Sequence, residues 1–133
     1  MKGSSMYTSV SFKSDIFKPF LPEVSQVNPQ VYGAELSFWL SKKLAEKNII
    51  TSYPESEDWG WYIEFIVGDN EYRFCCGNID GSFSAWYCFL EPYGKGLFGR
   101  QKAPIELAKP LIDSVRKILE ETADIKEIQW SSA

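Results

Sequence analysis

The sequence predicts an α+β fold, a mainly antiparallel sheet in the order β-α-β-β-β-β-α-β with two helices packed on one face. Two patterns lead there. Residues 59–90 alternate apolar and polar side chains and are broken twice by turn residues, as in consecutive hairpins. Residues 29–47 and 104–122 instead repeat apolar residues at spacings of three and four, the period of a helix with one buried face. A chain of 133 residues has room for one core of ordinary size. Residues 1–133 are therefore expected to form a single domain, with 1–5 a disordered or vector-derived tail.

The elements follow in order. Residues 7–12 alternate and open the sheet. Residues 14–27 contain Pro19 and Pro22 among Phe17, Phe20 and Leu21, and read as an extended segment whose aromatics pack onto the core. Asn28-Pro29 is a helix start, with Asn as N-cap and Pro at the first helical position. From there to Lys47, Tyr32, Leu36, Trp39, Leu40 and Leu44 form a stripe, and Asn48 ends the helix. Residues 49–53 read as a short strand before Pro54.

The next three strands come with registers. With Asp69-Asn70 as a two-residue loop, Val67 opposes Tyr72, Phe65 opposes Phe74 and Ile63 opposes Cys76. With Asp80-Gly81 as a I′ turn, Cys76 opposes Ala85, Phe74 opposes Tyr87 and Tyr72 opposes Phe89. Both assignments place Trp61, Ile63, Phe65, Val67, Tyr72, Phe74, Cys76, Phe83, Ala85, Tyr87 and Phe89 on one apolar face, which the helices are expected to cover. A shift of one residue would send every side chain to the other face. Residues 93–103 form a Gly-rich, basic loop. The second helix, to Thr122, carries Ala108, Leu111, Ile112, Val115, Ile118 and Leu119 on one side. Pro110 lacks the amide proton a helix interior needs, so the helix either starts just before it or kinks there. Residues 125–130 form the last strand.

Composition excludes more than it suggests. With no histidine, the chain has neither a Ser-His-Asp triad nor a Cys-His pair. Zinc sites lose half their usual ligands, and the adjacent Cys75 and Cys76 have the wrong spacing for a Cys-only site. No metal, cofactor or catalytic residue is expected, and the balance leans away from an enzyme. A net charge of −4 argues against nucleic acid, whose phosphates call for clustered Lys and Arg. The three cysteines (the third is Cys88) suggest reduced thiols rather than a disulfide framework. No run is apolar for the roughly 20 residues a membrane span needs, and residues 1–6 lack the apolar region of a secretory signal. A cytoplasmic location is the expectation.

Two groups of residues are candidate contact sites. On the face opposite the core, Tyr62, Glu64, Arg73 and Trp86 combine two aromatics with an acid and a base, and Glu64 and Arg73 are near enough for an ion pair. The alternative is an ordinary solvated sheet face, or one covered by the N-terminal segment. Glu57, Asp58 and Trp59, within Glu55-Ser56-Glu57-Asp58-Trp59-Gly60-Trp61, make an acidic-aromatic patch suited to a basic partner. The alternative is a charged loop entering a strand. Glu57, Asp58 and Glu64 also admit an acid-base pair. Gly94-Lys95-Gly96-Leu97-Phe98-Gly99 matches G-x-G-x-x-G, but the following helix begins too late and the preceding strands are hairpins, so the match reads as accidental.

The helix with Leu36, Trp39 and Leu40, the Glu57-Asp58-Trp59-Gly60-Trp61 stretch entering a strand, and a final strand ending in Trp130 together resemble a group of small bacterial proteins of unknown function. The resemblance spans residues 29–130 and implies a bacterial origin, with no catalytic residue to carry over. The leading functional expectation is a small non-enzymatic interaction module, for instance an inhibitor or immunity-type protein. It would bind a protein partner or a second copy through an acidic and aromatic surface. The alternative is a small-ligand-binding domain with a pocket between the sheet and the Gly-rich loop. A carboxylate-based enzyme is the third reading. The expectation carries its own condition, since a Trp86 buried inside the monomer refutes a surface built on it.

Overall fold

The computed structural model describes residues 6–19, 30–95 and 103–132. Its elements are β1 (Ser9–Lys13), α1 (Ala34–Glu46), β2 (Glu55–Glu57), β3 (Gly60–Val67), β4 (Asn70–Asn78), β5 (Ala85–Lys95), α2 (Lys109–Glu121) and β6 (Lys126–Ser131), with a 3₁₀ turn at Ile105–Ala108 before α2. The strands form one sheet in the order β2-β3-β4-β5-β1-β6, and each neighbouring pair is antiparallel. The fold is α+β, as the patterning predicts. Both helices lie on the face carrying Ile63, Phe65, Tyr72 and Phe74, and the buried residues of both join one core with that face.

The helices form where their apolar stripes and end signals agree. Leu36, Leu40 and Leu44 of α1 and Leu111, Ile112, Val115, Ile118 and Leu119 of α2 are buried. Asn48 ends α1 at a left-handed φ of 66°. The amides of Asn48 and Ile49 turn back to the carbonyls of Ala45 and Leu44 at 3.0 and 2.9 Å, a Schellman closure. Pro110 sits in the first turn of α2, where no intrahelical partner needs its missing proton.

The start of α1 differs from expectation. Asn28-Pro29 lies outside the described residues, and the helix begins only after Gly33. The Asn78 side chain at the end of β4 holds the preceding segment. Its Oδ1 accepts from the Tyr32 amide at 3.0 Å and its Nδ2 donates to the Gln30 carbonyl at 3.0 Å. Gly33 has a φ of 145°, and a Cβ there would stand 2.9 Å from the Cys76 carbonyl oxygen. The backbone enters the helix there because only glycine passes so close to β4. The expected strand at 49–53 is also corrected. Ser52 touches the β3 edge through its amide and hydroxyl, at 3.0 and 2.9 Å to the Glu64 backbone, but the paired strand is β2, beyond Pro54.

Both hairpin registers move. In the first, Gly68-Asp69 is the loop, with a positive φ at Gly68 as a II′ turn requires. Val67 opposes Asn70, Phe65 opposes Tyr72 and Ile63 opposes Phe74. This is a shift of two residues, which keeps the faces. In the second, the I′ turn is present, with φ of 52° at Asp80 and 72° at Gly81 and a 2.9 Å bond from the Ser82 amide to the Ile79 carbonyl. Pairing does not resume there. The Ser82 hydroxyl accepts from the amides of Ser84 and Ala85 at 2.9 and 3.0 Å, holding Ser82, Phe83 and Ser84 out of the ladder. Cys76 therefore opposes Cys88, Phe74 opposes Leu90 and Tyr72 opposes Pro92.

That second shift is odd, so β5 turns over. Trp86, Cys88 and Leu90 enter the core, while Tyr87 and Phe89 face away from the helices. Trp86 is fully buried. Its indole N–H donates to the Ser14 carbonyl at 3.0 Å, and its ring meets Phe17 edge-on at 5.9 Å. Of the residues expected on the helix face, Trp61, Phe83, Ala85, Tyr87 and Phe89 do not join the core.

Candidate functional site

The face away from α1 and α2, helix-free among the described residues, can be read from the ladder in rows running across the strands from β2 to β1. One row holds Glu57, Gly60, Gly77, Tyr87 and Ser11, and the next holds Glu55, Tyr62, Cys75, Phe89 and Ser9. A third holds Glu64, Arg73 and Glu91. The alternation of β3 and β4 puts these side chains on the side away from the core.

Arg73 organises the centre. Its guanidinium lies 4.3 Å from the Tyr62 ring centroid and 3.8 Å from that of Tyr93, and it is 3.6 Å from a Glu57 carboxylate oxygen. Tyr93 gains its position at a bulge, where Glu71 opposes Gly94 but Tyr72 opposes Pro92. Its ring is half exposed, whereas the Arg73 side chain is mostly covered. Glu64 is directly opposite Arg73, yet the ion pair goes to Glu57. Among the described residues no ion pair reaches Glu55, Glu64 or Glu91. Arg73 is the one cation in the three rows, against four carboxylates.

A second aromatic group lies beside it. Trp59, in the turn between β2 and β3, is 39% exposed and brings its ring to 5.8 Å from that of Phe89. Phe89 stacks on Tyr87 at 5.9 Å with the planes 7° apart. Tyr87 in turn lies over Gly77, where a Cβ would come within 3.2 Å of its ring. These rings seal what is beneath them. Cys75 is buried, and burial first, then the nearby Glu91, pushes its thiol far above the ordinary range. Burial likewise raises the phenol of Tyr62 against the opposing pull of Arg73. Cys75 is thus held as a neutral thiol, unsuited to nucleophilic attack.

Of the residues singled out from sequence, the structure brings Glu57, Trp59, Tyr62, Glu64 and Arg73 to this face or its margin. Asp58 shares the turn with Trp59 and is exposed. Trp86 is not there. Its burial refutes the surface built on it, because the β5 register differs by three residues. Tyr87, Phe89, Glu91 and Tyr93 take its place. Sequence patterning missed Tyr87 and Phe89 because Trp86, Cys88 and Leu90 in the other phase of the strand are equally apolar, and Tyr93 because a bulge places it.

Among the described residues, no group of three or more His, Cys, Asp and Glu stands together to hold a metal ion. No helix among them is long and apolar enough to cross a membrane. Residues 96–102 of the Gly-rich loop, and with them the expected ligand pocket beside it, lie outside the described residues. A further apolar patch lies on the outer side of α1, where Phe38 meets Tyr53 at 6.0 Å and Ile50 is exposed. Comparison with known protein families, curated proteins and solved structures finds no match for the chain.

Proposed function

We propose that this protein is a small non-enzymatic interaction module that binds a basic surface of another protein through the helix-free face of its sheet. Masking such a surface is what an inhibitor or immunity-type protein does. One observation carries the reading. Arg73, the single cation of the three rows, is already engaged by Glu57 and two tyrosine rings, which leaves the carboxylates of Glu55, Glu64 and Glu91 around an aromatic floor. Aromatic rings on a rigid sheet offer contact area at low entropic cost. Carboxylates at the rim attract lysine and arginine and raise the association rate at low salt.

The test uses Trp59, whose exposed ring lies over the turn and whose truncation leaves the core intact. The full chain and its Trp59→Ala variant are immobilised and exposed to native cell extract, and retained proteins are identified by mass spectrometry. A basic protein held by the natural chain, released by added salt and lost on Trp59→Ala, supports the proposal. If both forms retain the same proteins, or the specific partner is acidic, the proposal is wrong.

A further inference from the structure

The β4–β5 ladder puts Cys76 directly opposite Cys88 in the middle of the sheet. The kind of pair can be worked out from neighbouring bonds. The Ile79 amide donates to the Ala85 carbonyl, so the 79–85 pair bonds across β4 and β5. The Leu90 amide donates instead to Thr8, on the β1 side. Hydrogen-bonded pairs alternate along an antiparallel ladder, so Gly77–Tyr87 and Cys75–Phe89 bond, whereas Cys76–Cys88 is a non-hydrogen-bonded pair. Such pairs bring their Cα atoms to about 4.5 Å, inside the window of about 4.4–6.8 Å that a disulfide spans. The two thiols are neighbours within the buried core. Cys75, one residue away, points to the opposite face, which separates it from both.

We propose that Cys76 and Cys88 are a disulfide-forming pair that closes across β4 and β5 and locks their register. The two thiols are free in the structure and buried, so an oxidant reaches them while the hairpin is still open or during refolding. With a small disulfide such as oxidised glutathione, one cysteine thiolate attacks a glutathione sulfur and expels one glutathione thiolate. The second cysteine thiolate then attacks the first cysteine's sulfur and expels the other. Each cysteine gives up one proton, one S–S bond forms and one breaks, and two reduced glutathiones result. Once the sheet has closed, burial of both sulfurs keeps glutathione thiolate from reaching the S–S bond and slows the reverse exchange.

The lock matters because β5 has a competing register. The pairing that the I′ turn alone would dictate sets Cys76 against Ala85, and apolar residues then still line the inner face. A disulfide at 76–88 is compatible with the observed register and not with that one.

The experiment refolds the full chain from urea in a glutathione redox buffer. The Cys75→Ala and Cys88→Ala variants are treated alike, with circular dichroism to confirm that each folds. Free thiols are counted and cross-linked peptides mapped by mass spectrometry. The expected result is loss of two of the three thiols in the natural chain, and of both in Cys75→Ala with a 76–88 linkage. Cys88→Ala should form no intramolecular bond, and the oxidised chain should melt at a higher temperature than the reduced one. Persistence of all three thiols, a bond involving Cys75, or a lower melting point on oxidation would each overturn the proposal.

Discussion

Trp86 gives the sharpest test of the sheet's register. It is fully buried, its ring packs on Phe17, and its N–H is bonded to the Ser14 carbonyl, so Trp86→Ala removes packing and a hydrogen bond together. Truncating a large core aromatic costs about 3–5 kcal/mol. Leaving the buried carbonyl without a donor adds about 1 kcal/mol or more. The sum is a large share of the roughly 5–15 kcal/mol that holds a typical domain folded. Trp86→Phe retains most of the volume and should lose about 1–3 kcal/mol, mainly through the carbonyl. Phe89→Ala is the control. Its ring is only half-buried on the opposite face, and its loss should cost about 1–2 kcal/mol. The assay is urea denaturation followed by far-ultraviolet circular dichroism, which does not depend on the deleted indole. If Phe89→Ala costs as much as Trp86→Ala, the phase of β5 is wrong, and with it the composition of the helix-free face.

Two further outcomes follow from close contacts and burial. A Cβ on Gly60 would stand 2.7 Å from the Cys76 carbonyl oxygen, a backbone atom that cannot swing aside, so Gly60→Ala should cost about 1–3 kcal/mol and show as a lower denaturation midpoint. An unchanged midpoint would show that β3 and β4 are not so close there. In alkali, burial keeps the phenols of Tyr62, Tyr72 and Tyr87 protonated above their ordinary value of 10. The Cys75 thiol, through burial, and the Cys76 thiol, through the neighbouring Cys88 thiol and burial, are likewise raised above 9. Unfolding releases protons that the folded state retains, so stability is whole below about pH 9 and falls as the pH rises from there towards the folded-state values. A melting temperature that stays level up to about pH 11 would contradict this.

Local patterning was enough for much of the molecule. In β3, Ile63, Phe65 and Val67 alternate with Tyr62 and Glu64, and in β4, Tyr72, Phe74 and Cys76 alternate with Arg73 and Gly77. Each strand has one apolar phase, so its inner face is decided by composition, and a register error of two residues leaves it unchanged. The leucine stripe of α1, the stripe of α2 behind Pro110, and the turns at Asp80-Gly81 and Asn48 are short-range features, and each was legible for the same reason. The acidic-aromatic stretch from Glu57 to Trp59 was legible too, as was the placing of Tyr62, Glu64 and Arg73 on one face.

Tertiary structure decided what local signals left open. From Ala85 to Leu90 both phases are apolar, so no pattern within the strand selects between Trp86 and Tyr87 for the core. The choice is made by the Ser82 hydroxyl, which holds three residues out of the ladder, and by Ser14 and Phe17, about 70 residues away in sequence, which receive the Trp86 indole. The start of α1 is similarly set from a distance, by Asn78 and by the close approach of Gly33 to the Cys76 carbonyl. Contacts between residues far apart in the chain are paid for in loop-closure entropy and exist only once the sheet has formed. That is why the aromatic half of the candidate surface, Tyr87, Phe89 and Tyr93, could emerge only from the folded chain.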